Sequence, residues 1–112
     1  MQATVTDYGQ EIAVVALQGR LDLLSAAAVK TRINQEVARG RRQIVVDLGE
    51  VPMIDSSGLG ALIGGLKATR LAGGDLRLAR AQEQAKLILR LTMLDRVLVA
   101  HPNIEDAIAS YA

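Results

Sequence analysis

The chain has 112 residues, of which 50% are hydrophobic and 22% charged, and its formal net charge is +1. This length suits one domain, and the composition is that of a folded protein rather than a disordered one. Because cysteine is absent, the sequence excludes disulfides, a thiol nucleophile and cysteine-based metal sites.

The first third of the chain predicts a β-hairpin followed by a helix. Two β-prone segments, at 4–6 and 12–17, flank a turn that contains Gly9. Both faces of the segment 12–17 are apolar, which is typical of a central strand. Ser25 is a residue type that caps helices, and apolar residues recur after it at helical spacing until Gly40.

The remaining two thirds alternate between strands and helices. We predict a buried strand at 43–48, a helix at about 57–72, a strand at 75–79, a helical segment at 82–91, a short strand at 97–99 and a last helix capped by Asn103. This alternation after a hairpin favours an α/β fold, with a mixed, mostly parallel sheet of four to five strands and about four helices. We expect a single domain over residues 1–112.

The predicted topology places a candidate site at one edge of the sheet. In parallel strand–helix–strand units, the loops that follow the strands meet at the carboxyl edge, where such folds bind their partners. Loops 18–25 and 49–57 are both of this kind. Asp22 and the run Asp55-Ser56-Ser57 should therefore share one rim, where one of the two serine hydroxyls caps the helix and leaves the other free.

The helix after this run contains four glycines, Gly58, Gly60, Gly64 and Gly65. Glycine inside a helix costs about 1 kcal/mol relative to alanine, so these positions require a reason. Close packing of the helix on the sheet is one explanation. A partner backbone lying across the start of the helix is the other.

Several enzymatic patterns are missing. A nucleophile elbow needs glycine two residues before the serine, where Ile54 and Asp55 stand instead. The only histidine, His101, is interpreted as a loop residue rather than a general base. The glycine motifs that bind dinucleotides or phosphates are incomplete in this sequence. No helix carries histidine, aspartate and glutamate residues at the spacing of metal ligands. We therefore expect no enzymatic activity, no cofactor and no metal.

A phospho-accepting aspartate domain is an alternative, because Asp55 follows a buried strand. Such a receiver-like site needs further carboxylates for Mg²⁺ and a lysine beside the acyl phosphate. Asp22 could supply one carboxylate, but no lysine follows Lys86.

The ends and the charged segments favour a soluble protein that binds no nucleic acid. The first four residues lack the features of a signal peptide, and no uncharged stretch reaches the roughly 20 residues that cross a bilayer, so we expect a cytoplasmic protein without membrane insertion. The densest basic segment holds Arg39, Arg41 and Arg42, without interleaved aromatic residues. We interpret it as a solvated turn rather than a nucleic-acid surface.

The strand Ile44–Leu48 followed by Met53–Leu62 closely resembles the signature of STAS domains, and more narrowly that of bacterial anti-sigma factor antagonists. Segments 19–22, 72–76 and 88–97 resemble other conserved parts of that family. The resemblance covers essentially the whole chain. Its specific element is the strand combined with Asp-Ser-Ser-Gly-Leu-Gly.

This resemblance implies a phosphoprotein that regulates bacterial transcription by partner switching. Members of the family bind an anti-sigma factor that is a serine kinase, which releases a sigma factor. The kinase phosphorylates the first serine after the motif aspartate, here Ser56, and a PP2C-like phosphatase reverses the reaction. The implied partner-binding residues are Asp22, Asp55, Ser56, Ser57, Gly58 and Leu59.

Two departures from the family pattern concern the identity of the partner. Arg20 stands where many antagonists carry an acid, and Ala61 with the glycine pair after it gives the second helix a small-residue surface. Related domains also serve in stress-sensing scaffolds and in membrane-associated lipid-transport complexes. The site serine discriminates between these functions, because a purely structural subunit need not be phosphorylated.

Overall fold

The computed structural model describes residues 1–112 and contains one five-stranded sheet and four α-helices. The strands are β1 (Gln2–Tyr8), β2 (Ile12–Gln18), β3 (Gln43–Glu50), β4 (Asp75–Ala79) and β5 (Ala100–His101). The helices are α1 (Ala26–Ala38), α2 (Ser56–Leu71), α3 (Glu83–Leu91) and α4 (Ile104–Ala109), with a 3₁₀ turn at Leu94–Arg96. The predicted α/β class is confirmed.

The strands lie in the sheet in the same order as in the chain. β1 pairs with β2 in an antiparallel hairpin, and β2, β3, β4 and β5 are mutually parallel. Gly9 turns the hairpin with a φ of +71°, a left-handed conformation that glycine adopts without strain. Because the parallel strands point the same way, the loops that follow β2, β3 and β4 all emerge at one edge of the sheet.

Side chains from the two faces of the sheet form two cores. Ile44, Val46 and Leu48 of β3 belong to the larger core, which they share with buried residues of α1, α2 and α3. Val45, on the opposite face of the same strand, packs in a smaller core with Ala107 of α4. Three helices therefore cover one face and α4 the other, which explains why β3 is apolar on both faces.

The predicted last strand is present, but its predicted bounds of 97–99 are wrong, since β5 lies at Ala100–His101. The 3₁₀ turn before it places Leu98 in the core, while Val97 and Val99 remain exposed. Pairing with β4 begins only where the N–H of Leu78 donates to the carbonyl of Val99. Three adjacent apolar residues thus mark the entry to the strand, of which only one is buried.

Two arginines of the basic segment after α1 form ion pairs with acids of the same chain. Arg39 pairs with the buried Glu36 and with Asp7, and Arg41 lies 3.2 Å from Asp7. These contacts support the interpretation of the segment as a turn. The hydrogen bond from Arg41 is the largest cause that lowers the pKa of Asp7 below its usual value of 3.8.

We expect Asp7→Asn to be less stable than the wild type at neutral pH and equally stable in strong acid. A carboxylate whose native pKa is lowered contributes stability above its unfolded-state pKa, and that contribution is lost as the pH falls through the native pKa. Because the pair is exposed, the difference should be small and should shrink in high salt. Melting temperatures of both proteins, measured from neutral pH to strong acid, test the prediction. A difference in melting temperature between the two that does not change with pH would contradict it.

Candidate functional site

Hydrogen bonds join the loops after β2 and β3 beyond the ends of both strands. The N–H of Leu21 donates to the carbonyl of Met53 at 3.0 Å, and the N–H of Asp55 donates to the carbonyl of Leu21 at 3.2 Å. Leu21 and Ile54 form a parallel bridge, and both side chains are buried. The prediction that loops 18–25 and 49–57 adjoin on one rim is therefore confirmed.

The carboxylate of Asp55 connects the two loops to the start of α2. One oxygen accepts from the N–H of Gly58 at 2.9 Å, and the other accepts from the N–H of Leu23 at 3.2 Å. Asp55 is thus the helix cap, and the expectation that a serine hydroxyl caps α2 is wrong. An aspartate serves better here because its two oxygens bind two donors from different segments.

The first residue of α2 is Ser56, whose side chain is exposed, and Ser57 beside it is half-buried. Since Asp55 provides the cap, neither serine hydroxyl is used to start the helix. The backbone N–H groups of both serines also lack a partner within the chain. The Ser56 hydroxyl is therefore accessible at the positive end of a 16-residue helix.

Asp22 organises the loop on the other side of the rim. Its carboxylate accepts from the N–H of Leu24 at 3.0 Å, and its side chain is half-buried. Ser25 precedes α1 but does not cap it, contrary to the prediction. Its buried hydroxyl instead donates to the carbonyl of Arg20 at 2.8 Å and accepts from the N–H of Asp22 at 3.0 Å. This loop is thus stabilised by its own polar groups.

Two of the predicted site residues are buried. A Cβ atom at Gly58 would lie 2.1 Å from the carbonyl oxygen of Leu21, so the crossing loop requires glycine here. Leu59 is 5% exposed and belongs to the larger core. Both residues can shape the rim but present little surface to a partner.

The glycines of α2 occur for different structural reasons. At Gly65 a Cβ atom would lie 2.8 Å from the side chain of Ile33 in α1, so this glycine, like Gly58, serves close packing. A Cβ atom at Gly60 would meet nothing within 4 Å. Gly60 is exposed one turn after Ser56, where packing gives no reason for glycine.

Two residues that follow β4 support the rim, although the sequence did not lead us to predict either of them. Arg80 forms a two-point ion pair with the buried Asp47, both contacts at 2.8 Å, and hydrogen bonding to Asp47 raises the pKa of Arg80. The amide of Gln84 in α3 bonds to the backbone of Ile54. An aspartate inside an apolar strand indicates a buried partner, whereas nothing local distinguishes Gln84.

The described chain contains no group of three potential metal ligands among histidine, aspartate and glutamate. None of its helices has the length and hydropathy needed to cross a membrane. Both oxygens of Asp55 accept N–H hydrogen bonds, which disfavours this carboxylate as a phosphate acceptor. His101 is the last residue of β5 rather than a loop residue.

We expect Gly58→Ala to destabilise the protein by about 1–3 kcal/mol, because the added methyl group collides with a backbone carbonyl that cannot move freely. Gly60→Ala is the matched control. It adds the same methyl group to the same helix in open space and should be neutral or stabilising by up to about 1 kcal/mol. Chemical denaturation measures both, and equal stabilities for the two variants would contradict this account of the rim.

Comparison with known proteins agrees with this architecture. The STAS domain family model matches residues 4–107. The anti-sigma F factor antagonist of Paenibacillus polymyxa is 23% identical over 103 residues, covering 91% of this chain and 88% of the relative. The crystal structure of an anti-sigma factor antagonist from Mycobacterium paratuberculosis has a TM-score of 0.85 at 26% identity, covering 97% of this chain and 92% of that one.

The Bacillus cell fate determinant SpoIIAA, solved in its phosphorylated form, shares the fold, with a TM-score of 0.75 at 18% identity over 99% of this chain and 100% of that chain. The fold is thus common to proteins whose sequences have diverged widely. The STAS domain family model, which matches residues 4–107, shows that this chain belongs to that family.

Proposed function

We propose that this protein is an anti-sigma factor antagonist, a non-enzymatic partner-switching domain of the bacterial cytoplasm. It binds an anti-sigma factor serine kinase and so releases a sigma factor, and phosphorylation of Ser56 inactivates it until a PP2C-like phosphatase removes the phosphate. The observation that carries this proposal is an exposed serine at the start of α2 whose hydroxyl is free of the capping role. Relatives named as antagonists, similar over most of their length, support it.

The geometry favours Ser56 over Ser57 as the phosphate acceptor. Ser56 is exposed, whereas Ser57 is half-buried. Asp55 precedes it in an extended conformation and is held by two hydrogen bonds. A kinase can therefore approach the hydroxyl of Ser56 without unwinding the helix.

The surface around Ser56 has the character of a docking site. Leu23 and Leu24, in the loop hydrogen-bonded to Asp55, are 74% and 93% exposed. Asp22 lies in the same loop and can meet a cation of the partner with the part of its carboxylate that the loop does not use. Exposed apolar side chains next to charged ones are typical of protein–protein contact surfaces.

A phosphate on Ser56 should leave the fold intact. It adds a charge of about −1.5 to −2 at neutral pH. The free N–H groups and the dipole of α2 favour a negative charge at this position by typically about 0.3–1 kcal/mol. Repulsion from Asp22 and Asp55 opposes this effect but is screened at an exposed rim.

Docking is more sensitive to the phosphate than folding is. A partner that covers Ser56 would have to remove water from a dianion, and an unpaired charge buried in this way costs several kcal/mol. The phosphate thereby changes affinity while the free domain keeps its structure.

We expect Ser56→Ala to abolish phosphorylation by a cognate anti-sigma factor kinase with ATP, and Ser57→Ala to leave it largely intact. Each variant removes one serine hydroxyl, and the two positions are adjacent, so each variant is the control for the other. Mass spectrometry of the phosphorylated protein locates the modified residue. Undiminished modification of Ser56→Ala would refute the assignment, and an unmodified wild type would point to a purely structural STAS subunit.

We also expect Ser56→Glu to bind the unphosphorylated partner kinase about 100-fold more weakly than Ser56→Ala, since each 1.4 kcal/mol is a tenfold change in affinity. Ser56→Ala should bind as the wild type does. Calorimetry gives both affinities, and circular dichroism of the two variants should match the wild type. Loss of structure in Ser56→Glu, or equal affinities, would contradict a switch that acts on docking.

A further inference from the structure

The segment that leads to Ser56 is held along both of its edges. On one edge, Leu21 exchanges backbone hydrogen bonds with Met53 and Asp55. On the other edge, the side-chain amide of Gln84 accepts from the N–H of Ile54 at 2.8 Å and donates to the carbonyl of Ile54 at 2.9 Å. Ile54 therefore has partners for both of its backbone polar groups.

Gln84 occupies the place of a missing strand. β4, the neighbour of β3, ends at Ala79, and Arg80 follows with a φ of +57°, so the chain turns away before it reaches Ile54. A primary amide carries an acceptor and a donor side by side, as one residue of a paired strand does. The first turns of α3 thus supply the hydrogen bonds that a longer β4 would have made.

The hydrogen bonds of Gln84 matter because Ile54, at the centre of this segment, is buried. The side chain of Ile54 is 1% exposed, and Gln84 itself is half-buried. A buried backbone N–H or carbonyl without a partner is strongly unfavourable, so losing Gln84 would force the segment to shift or to admit water. Asp55, which caps α2, and Ser56 come directly after Ile54 and would move with it.

We propose that Gln84 is a positioning residue for the phosphorylation site, an inference that rests on the proposed function of Ser56. Gln84 keeps residues 53–55 in one conformation and thereby holds the Ser56 hydroxyl where a kinase can use it. Without Gln84, the domain stays folded because the larger core is intact. The segment then occupies several conformations, of which only some present Ser56 correctly.

The variants Gln84→Met and Gln84→Asn separate positioning from folding. Methionine keeps the length and shape of the side chain without its polar atoms, and asparagine keeps the amide but is one methylene too short to reach Ile54. Gln35→Met is the matched control, because Gln35 is exposed on α1 and makes no side-chain hydrogen bond. Asparagine also provides a variant that folds if methionine does not.

Amide hydrogen exchange measured by NMR reports on the segment without any partner. We expect the N–H of Ile54 to exchange about tenfold faster or more in both Gln84 variants, since a lost hydrogen bond of this strength corresponds to such a factor. The N–H of Val46, inside β3, should be accelerated less than that of Ile54, and both amides should keep their wild-type rates in Gln35→Met. Unchanged exchange at Ile54 in a folded Gln84 variant would overturn the proposal.

Phosphorylation by a cognate serine kinase with ATP provides the functional test. We expect kcat/KM for Ser56 to fall about tenfold in both Gln84 variants and to stay at the wild-type value in Gln35→Met. Faster exchange at Ile54 with unchanged phosphorylation would make Gln84 a purely structural residue and overturn its positioning role. A wild-type protein that no such kinase modifies would refute the proposed function, which separates that failure from a failure of Gln84 alone.

Discussion

The rim depends on the hydrogen bonds that the backbone of Leu21 makes. Its N–H and carbonyl bind Met53 and Asp55, which extends the parallel pairing of β2 and β3 past the ends of both strands. The same carbonyl lies so close to α2 that only glycine fits at position 58. One buried residue thereby fixes how closely the two loops and the start of α2 approach one another.

At this rim, the groups that stabilise the fold are different from the hydroxyl that is exposed to a partner. The groups that hold the rim are backbone amides, the carboxylate of Asp55, the buried hydroxyl of Ser25 and the amide of Gln84. The hydroxyl of Ser56 is not among them. A change of charge at Ser56 can therefore alter what the rim binds without removing a contact that the fold needs, which is the physical requirement for a reversible switch.

The family match supports the assignment of the fold, and the local geometry supports the choice of Ser56 as the site. Similarity over residues 4–107 shows membership of the STAS family, but a fold does not by itself specify a function. The hydrogen bonds around Asp55 leave both serine hydroxyls free of the capping role, and of the two serines Ser56 is the exposed one. The exposed leucines beside it support a protein partner rather than a small substrate.

Sequence patterns alone were enough to predict the α/β class, the hairpin, the helices and the shared rim of loops 18–25 and 49–57. Each follows from local periodicity, or from the rule that loops after parallel strands share an edge. Three features became apparent only in the folded chain: the side chain that caps α2, the glycines that are required and the groups that hold Ile54. These depend on Leu21, Leu23, Ile33 and Gln84, residues distant in the sequence whose approach no local pattern encodes. An Asp-Ser-Ser run offers three plausible caps, and the second hydrogen bond, from Leu23, is the one that singles out the aspartate.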